Sequence, residues 1–242
     1  MTETTTALVT GANKGIGYEV AAALAAQGVT VFLASRDPQR GEQAATRLRA
    51  TGADVHPIVL DVTDPATIES AATSLTRLDI LINNAGISGP TNEPPSATTP
   101  RTLRDVLETN VIGVLTVTNA LLPLLRRSPA PRIVNVSSTV GSTTCHTDPA
   151  HHMSGLPAVA AYPASKAALN ALTVQYAKEL RKDGILVNAA APGACATDLT
   201  KDLPFPITRT AAEGAAVIVR LATLPADGPT GTFHDDAGTV PW

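Results

Sequence analysis

The chain has 242 residues, 44% of them hydrophobic and 16% charged, with a formal net charge of −3. The hydrophobic content and a mean hydropathy of +0.11 exclude disorder, and the length suits one α/β domain better than two. A pI near 5.9, no Lys/Arg run beyond two residues and only 3% aromatics argue against a nucleic-acid binder.

No apolar stretch reaches the roughly 18 residues of a membrane span. The polar start Met1-Thr-Glu-Thr-Thr-Thr6 lacks the basic and apolar regions of a secretory signal. Cys145 and Cys195, the two cysteines, do not form a disulfide framework, so a reducing cytoplasm is the expected location.

Ala7-Leu-Val9 reads as the first buried strand. Thr10-Gly11-Ala12-Asn13-Lys14-Gly15-Ile16-Gly17 follows it and leads into a helical pattern at about 16–27. Glycines at the first strand–helix turn let the backbone approach a pyrophosphate, and the helix N-terminus offers free N–H groups and positive potential. The spacing is G-x-x-x-G-x-G rather than G-x-G-x-x-G, so the evidence lies in its placement at this junction. Gly11, Asn13, Lys14, Gly15, Ile16 and Gly17 are the candidate cradle.

The second strand, Val29–Leu33, ends in Ala34-Ser35-Arg36-Asp37, with Arg40 following. An acidic residue at this tip would bind a ribose 2′-hydroxyl. Here Arg36, Arg40 and Lys14 suit a 2′-phosphate instead, which favours NADP(H) over NAD(H), with Asp37 as the opposing signal.

A helical segment at about 39–50 leads to a strand at Ile58–Leu60, a segment at 65–76 and a strand at Ile80–Ile82. Asn83-Asn84-Ala85-Gly86 ends that strand, where amides can tie neighbouring strands and a cofactor together. A helix at about 101–127 places Asn110 in its interior, where Asn is mildly disfavoured.

The strand Ile133–Val136 ends in Ser137-Ser138, whose hydroxyls could stabilise a developing oxyanion. Tyr162-Pro-Ala-Ser-Lys166 then opens a helix at 161–182, with Tyr and Lys on one face. An ammonium one turn away lowers a phenol's pKa from about 10, making Tyr162 a general acid to a carbonyl or base to an alcohol. Strands at Ile185–Val187 and near Gly231–His234 complete the pattern.

Strands apolar on both faces, alternating with helices, predict an α/β fold: one doubly wound parallel sheet of about seven strands with helices on both faces. Three strand-end segments, 88–100, 141–161 and 194–210 (the last with Pro204 and Pro206), are the expected walls of a substrate pocket. Cys145, His146, His151 and His152 lack the partners that would complete a metal site, so no metal is expected. Cys195 reads as a small buried filler rather than a group beside the nicotinamide. No G-x-S-x-G elbow suggests a hydrolase.

Taken together, the glycine turn, Asp61, Asn83–Gly86, Asn110, Ser138, Tyr162/Lys166 and Pro192-Gly193 resemble the short-chain dehydrogenase/reductase family, over essentially the whole chain. The resemblance implies a Rossmann-like single domain over 1–242 and metal-free hydride transfer between nicotinamide and substrate carbon. It makes Tyr162 the proton donor and Ser138 the residue orienting the carbonyl. Lys166 would bind the nicotinamide ribose and lower the pKa of Tyr162, and Asn110 would hold a relay water.

By the same resemblance, Asp61 and Val62 would contact adenine, Asn84 with Ala85 and Gly86 the adjacent ribose region, and Pro192, Gly193 and Thr197 the nicotinamide end. The turn, Ser35-Arg36-Asp37, Arg40-Gly41 and the tail look most like the NADPH-dependent carbonyl reductases. A small carbonyl or alcohol substrate is implied. An NAD-dependent alcohol dehydrogenase and an NADP(H)-binding regulator without turnover are the alternatives; the latter would be expected to lose the Tyr/Lys pair. The insertion at about 142–158 leaves monomer and homo-oligomer both open.

Overall fold

The structure, a computed structural model, describes residues 4–203 and 206–242, so Pro204 lies outside the described residues. Seven strands pair in parallel: β1 (Thr6–Val9), β2 (Thr30–Ser35), β3 (Val55–Val59), β4 (Ile80–Asn83), β5 (Arg132–Val136), β6 (Leu186–Ala190) and β7 (Phe233–His234). Their order across the sheet is β3-β2-β1-β4-β5-β6-β7. The direction of winding reverses between β1 and β4, which opens a crevice at their carboxyl ends.

Alternating strand residues feed two cores. Ala7 and Val9 point to one face with Val20 and Leu24 of α1 (Gly15–Ala25), Ala44 and Leu48 of α2 (Pro38–Arg49), and Ile218 of α8 (Ala211–Ala222). Leu8 points to the other, with Ile68 of α3 (Pro65–Ser74), Leu121 of α5 (Gly113–Leu125) and Leu180 of α7 (Ala161–Leu180). The period of two along each strand distributes one apolar run to both layers.

Several expectations shift. The third strand lies at Val55–Val59 rather than 58–60 and is not buried on both faces: it is the sheet edge, and Val59 is 44% exposed. The helix expected at 101–127 is α4 (Pro100–Leu107), a π-helical turn at Glu108–Ile112, and α5. This run is long and apolar enough by composition to cross a membrane, but Val106, Val117, Leu121 and Leu125 are buried inside the domain.

The helix α8 has no counterpart in the sequence reading. Its start carries a capping box, in which Thr210 Oγ1 accepts from Glu213 N and Glu213 accepts from Thr210 N.

The insertion holds a short helix, α6 (Thr143–Thr147), and a 3₁₀ turn, His152–Gly155. Cys145 and Met153 pack with Ala189, Phe233 and Val240, and Phe233 stacks on Trp242. Segment 141–161 is therefore an apolar brace for the last strand and tail.

Candidate active site

The carboxyl ends of β1, β2, β4, β5 and β6 surround a cleft of about 830 Å³. At its centre is the first turn. Gly11 has φ +63°, a conformation L side chains rarely adopt, and an added Cβ would lie 3.0 Å from Ala85 Cα. Gly17 has no room either: a Cβ there would meet Asn84 Nδ2, and Gly11 O at 2.8 Å.

Asn84 fixes the turn from β4, donating through Nδ2 to the carbonyls of Thr10 (2.8 Å) and Gly11 (3.2 Å). Thr10 Oγ1 accepts from the backbone N–H groups of Asn84 and Ala85. The N-terminus of α1 has no side-chain cap and no acidic residue in its first turn, and Gly15, Ile16 and Gly17 line the cleft. An uncapped helix start beside close-packed glycines fits a pyrophosphate.

Three cations, Lys14, Arg36 and Arg40, line the cleft around the β2 tip. Arg36 is exposed and makes no hydrogen bond or ion pair among the described residues. Arg40 Nε lies 3.3 Å from Asp37, whose carboxylate also caps α2. Lys14 reaches across the cleft to Asp198, and Lys201 lies on the same loop as Asp198. Asp61 Oδ1 accepts from Thr63 N and Oγ1, and Asp61 and Val62 form the adjoining wall.

At the β5 side, Ser137 and Ser138 separate in role. Ser137 is buried and donates to Asn170 Oδ1 at 2.6 Å, a packing bond. Ser138 lines the cleft with Tyr162 and bears on the charge state of its phenol. Lys166 sits one turn along α7 from Tyr162, with Nζ 5.4 Å from the ring centroid and donating to the Val136 carbonyl at 2.8 Å.

The electrostatics differ from expectation. Burial pushes the Tyr162 phenol up to about 12 despite the opposing influence of Ser138, and pushes Lys166 down to about 8. Loss of solvation penalises both charged forms and outweighs any help the ammonium gives the phenolate. Without cofactor, Tyr162 is a firmly protonated acid.

Among the residues expected to serve catalysis or hold the cofactor, Asn110 alone does not line the cleft. It is fully buried, and Nδ2 donates to Ile87 O (2.8 Å) and Ser165 Oγ (2.9 Å) while Oδ1 accepts from Ile87 N. Both amide hydrogens are committed to protein partners. Ser165 Oγ donates to the Tyr162 carbonyl, so Asn110 braces the first turn of α7 behind Tyr162. The π-helical turn accommodates it in mid-helix.

Gly11, Asn13, Lys14, Gly15, Ile16, Gly17, Arg36, Arg40, Asp61, Val62, Asn84, Ala85, Gly86, Pro192, Gly193 and Thr197 all line this one cleft with Ser138, Tyr162 and Lys166. Of the three expected walls, Ser88 and Gly89 represent the first and Cys195–Thr200 the third, while 141–161 contributes no lining residue. Cys195 is a buried free thiol, raised by burial, with Sγ 3.4 Å from Pro192 O. Among the described residues no group of three His, Cys, Asp or Glu could hold a metal.

The sequence reading missed Asp198. Its only signal is its position directly after Thr197, because its partner is 184 positions away.

A parallel sheet with a glycine turn at its switch point defines a dinucleotide-binding α/β protein. The short chain dehydrogenase family profile matches residues 5–205, and the chain belongs to that family.

(+)-Neomenthol dehydrogenase of Capsicum annuum is 34% identical, covering 96% of each chain. Carbonyl reductase [NADPH] 1 of Mus musculus is 33% identical, covering 98% of each. The crystal structure of NADPH-bound carbonyl reductase from chicken fatty liver superposes with a TM-score of 0.85 at 31% identity, over 99% of this chain and 100% of that one.

Proposed function

We propose that this protein is an NADP(H)-dependent carbonyl reductase acting in the cytoplasm on a small ketone or aldehyde, with the reverse alcohol oxidation open to the same site. One observation carries the reading: Ser138, Tyr162 and Lys166 converge in the cleft that also holds the uncapped glycine turn and the cations of the β2 tip. The relatives named for NADPH support the cofactor, and Arg36 with no carboxylate partner supports a 2′-phosphate.

A bound reduced nicotinamide supplies the hydride. The chain's own part is to hold the carbonyl and deliver a proton. Ser138 donates a hydrogen bond to the oxygen as negative charge grows on it. Tyr162, protonated at neutral pH, gives that oxygen its proton. Lys166 supplies positive charge one turn away, and Asn110 holds the α7 start in place through Ser165.

The test is a panel of ketones, aldehydes and quinones with NADPH consumption followed spectroscopically, on wild type and Tyr162→Phe. The wild type turns over at least one class, whereas the variant binds NADPH and loses turnover by about 10²-fold or more. Full activity in the variant, or none in the wild type across the panel, overturns the assignment.

A further inference from the structure

The Lys14–Asp198 pair spans the mouth of the cleft. Lys14 is the residue before α1, and Asp198 stands on the loop after β6, 184 positions later in sequence. The contact is local as well as electrostatic, since an added Cβ on Gly15 would lie 3.4 Å from Thr197 Cγ2. The loop therefore rests on the turn, and its carboxylate reaches the one lysine of that turn.

Hydrogen bonding and charge from Lys14, with weaker contributions from Lys201 and Arg40, hold the Asp198 carboxyl below its ordinary range. One carboxylate thus faces three cations at the place where the β2 tip would receive a phosphate. Both members of the pair are largely solvent-exposed, with side chains 56% and 69% accessible, so the pair is weak and exchangeable.

We propose that Asp198 is a specificity-determining residue: in the free enzyme it competes with the 2′-phosphate of the cofactor for Lys14, and so sets the affinity for NADPH without affecting NADH. The proposal rests on the 2′-phosphate reading of the β2 tip given above. Lys14 cannot serve both anions at full strength, and Asp198 repels the incoming phosphate directly. The mirror arrangement, Asp37 on Arg40, leaves Arg36 as the one cation at the β2 tip without a protein anion among the described residues. Arg36 then anchors the phosphate while Asp198 weakens its hold.

The experiment is a fluorescence titration of the full chain with NADPH and with NADH, on wild type, Asp198→Asn, Lys14→Ala, the double variant and Arg36→Ala. Asp198→Asn is expected to tighten NADPH by about three- to tenfold, at the upper edge of an exposed pair plus relief of repulsion, and to change NADH by less than about twofold. The gain disappears in the double variant and shrinks at high salt, because exposed charges are screened. Unchanged or weakened NADPH binding in Asp198→Asn, or equal tightening of both cofactors, overturns the proposal.

Arg36→Ala separates this from the underlying reading. If it weakens NADPH relative to NADH while Asp198→Asn is silent, the 2′-phosphate site stands and only the competition fails. If Arg36→Ala leaves the preference unchanged, the 2′-phosphate reading itself fails.

Discussion

The two ends of the sheet are made from the same strands and solve opposite problems. At the amino end, Asp79 immediately before β4 accepts from Thr6 N (2.8 Å), Arg77 Nε (2.8 Å) and Ser128 Oγ (2.5 Å). Arg132 at the start of β5 is 4% exposed and gives its guanidinium to the carbonyls of Leu224 and Pro131. Each buried charged group here is hydrogen-bonded, Asp79 to a cation and two neutral donors, Arg132 to backbone carbonyls.

At the carboxyl ends the groups are less fully matched: an uncapped helix, Arg36 with no anion among the described residues, and a phenol and a lysine both pushed towards neutrality. Folding free energy is gained at one end, and binding capacity is kept at the other.

The sharpest way to break this comparison is Ser138→Ala. Its hydroxyl makes one weak backbone contact, accepting from Val140 N at 3.4 Å. Removing an oxyanion donor costs about 10²–10³ in kcat, while the unfolding midpoint should stay near that of wild type. A large fall in stability with little change in kcat would place Ser138 among the structural groups of the other end.

Asp79→Ala is the reciprocal experiment. It removes at least four hydrogen bonds, two of them from Arg77, and leaves Arg77 beside a vacated, buried position, so denaturant unfolding should show a loss of about 3–5 kcal/mol. Turnover per folded molecule should hold, because no atom of Asp79 lines the cleft. Collapse of turnover at unchanged stability would mean that the two ends are coupled.

The sequence is legible where one physical cause dominates. Ala7–Val9, Ile80–Ile82 and Ile133–Val136 are apolar on both faces because helices cover both, and the structure has them as β1, β4 and β5. At the edge that cause lapses: β3 includes His56 and Pro57 and one side of it meets water, so the apolar run 58–60 gives the wrong register. The α8 start was readable, since Thr210 and Glu213 stand at capping-box spacing, but proline-rich 194–210 masks it.

In the site, motif residues declare themselves because glycines and the Tyr/Lys pair must stand at fixed local spacing. Asp198 does not, since its pairing with Lys14 exists only once β1 and β6 have been folded into one sheet. Segment 141–161 misleads in the other direction. Its Cys and His residues suggest chemistry, yet Cys145 packs against Phe233 and Val240, and His151 stacks on His152.

The two ends should also differ in their pH windows, a smaller effect than the preceding ones, because one favours its charged group and the other its neutral one. Burial raises the Asp79 carboxyl, but hydrogen bonds from Arg77, Ser128 and Thr6 outweigh that and hold it below its ordinary value. Its stabilisation is complete above the unfolded value of 3.8 and is lost as pH falls through the folded one. Lys166 gives the same sign of slope for the opposite reason, since burial disfavours its charged form.

Between its folded value of about 8 and its ordinary 10.5, the unfolded chain keeps a proton that the folded chain has shed, so stability rises with pH across that window. Tyr162, raised from 10 to about 12, reverses the trend above pH 10, where the unfolded chain deprotonates first. Comparing wild type with Lys166→Met isolates the lysine. From pH 8 to 10 the wild type should gain relative to the variant by at most about 1.4 kcal/mol per pH unit. A flat difference would mean that the Val136 carbonyl and the surrounding cleft solvate the ammonium fully, and that the carboxyl end is as well matched in charge as the end built around Asp79.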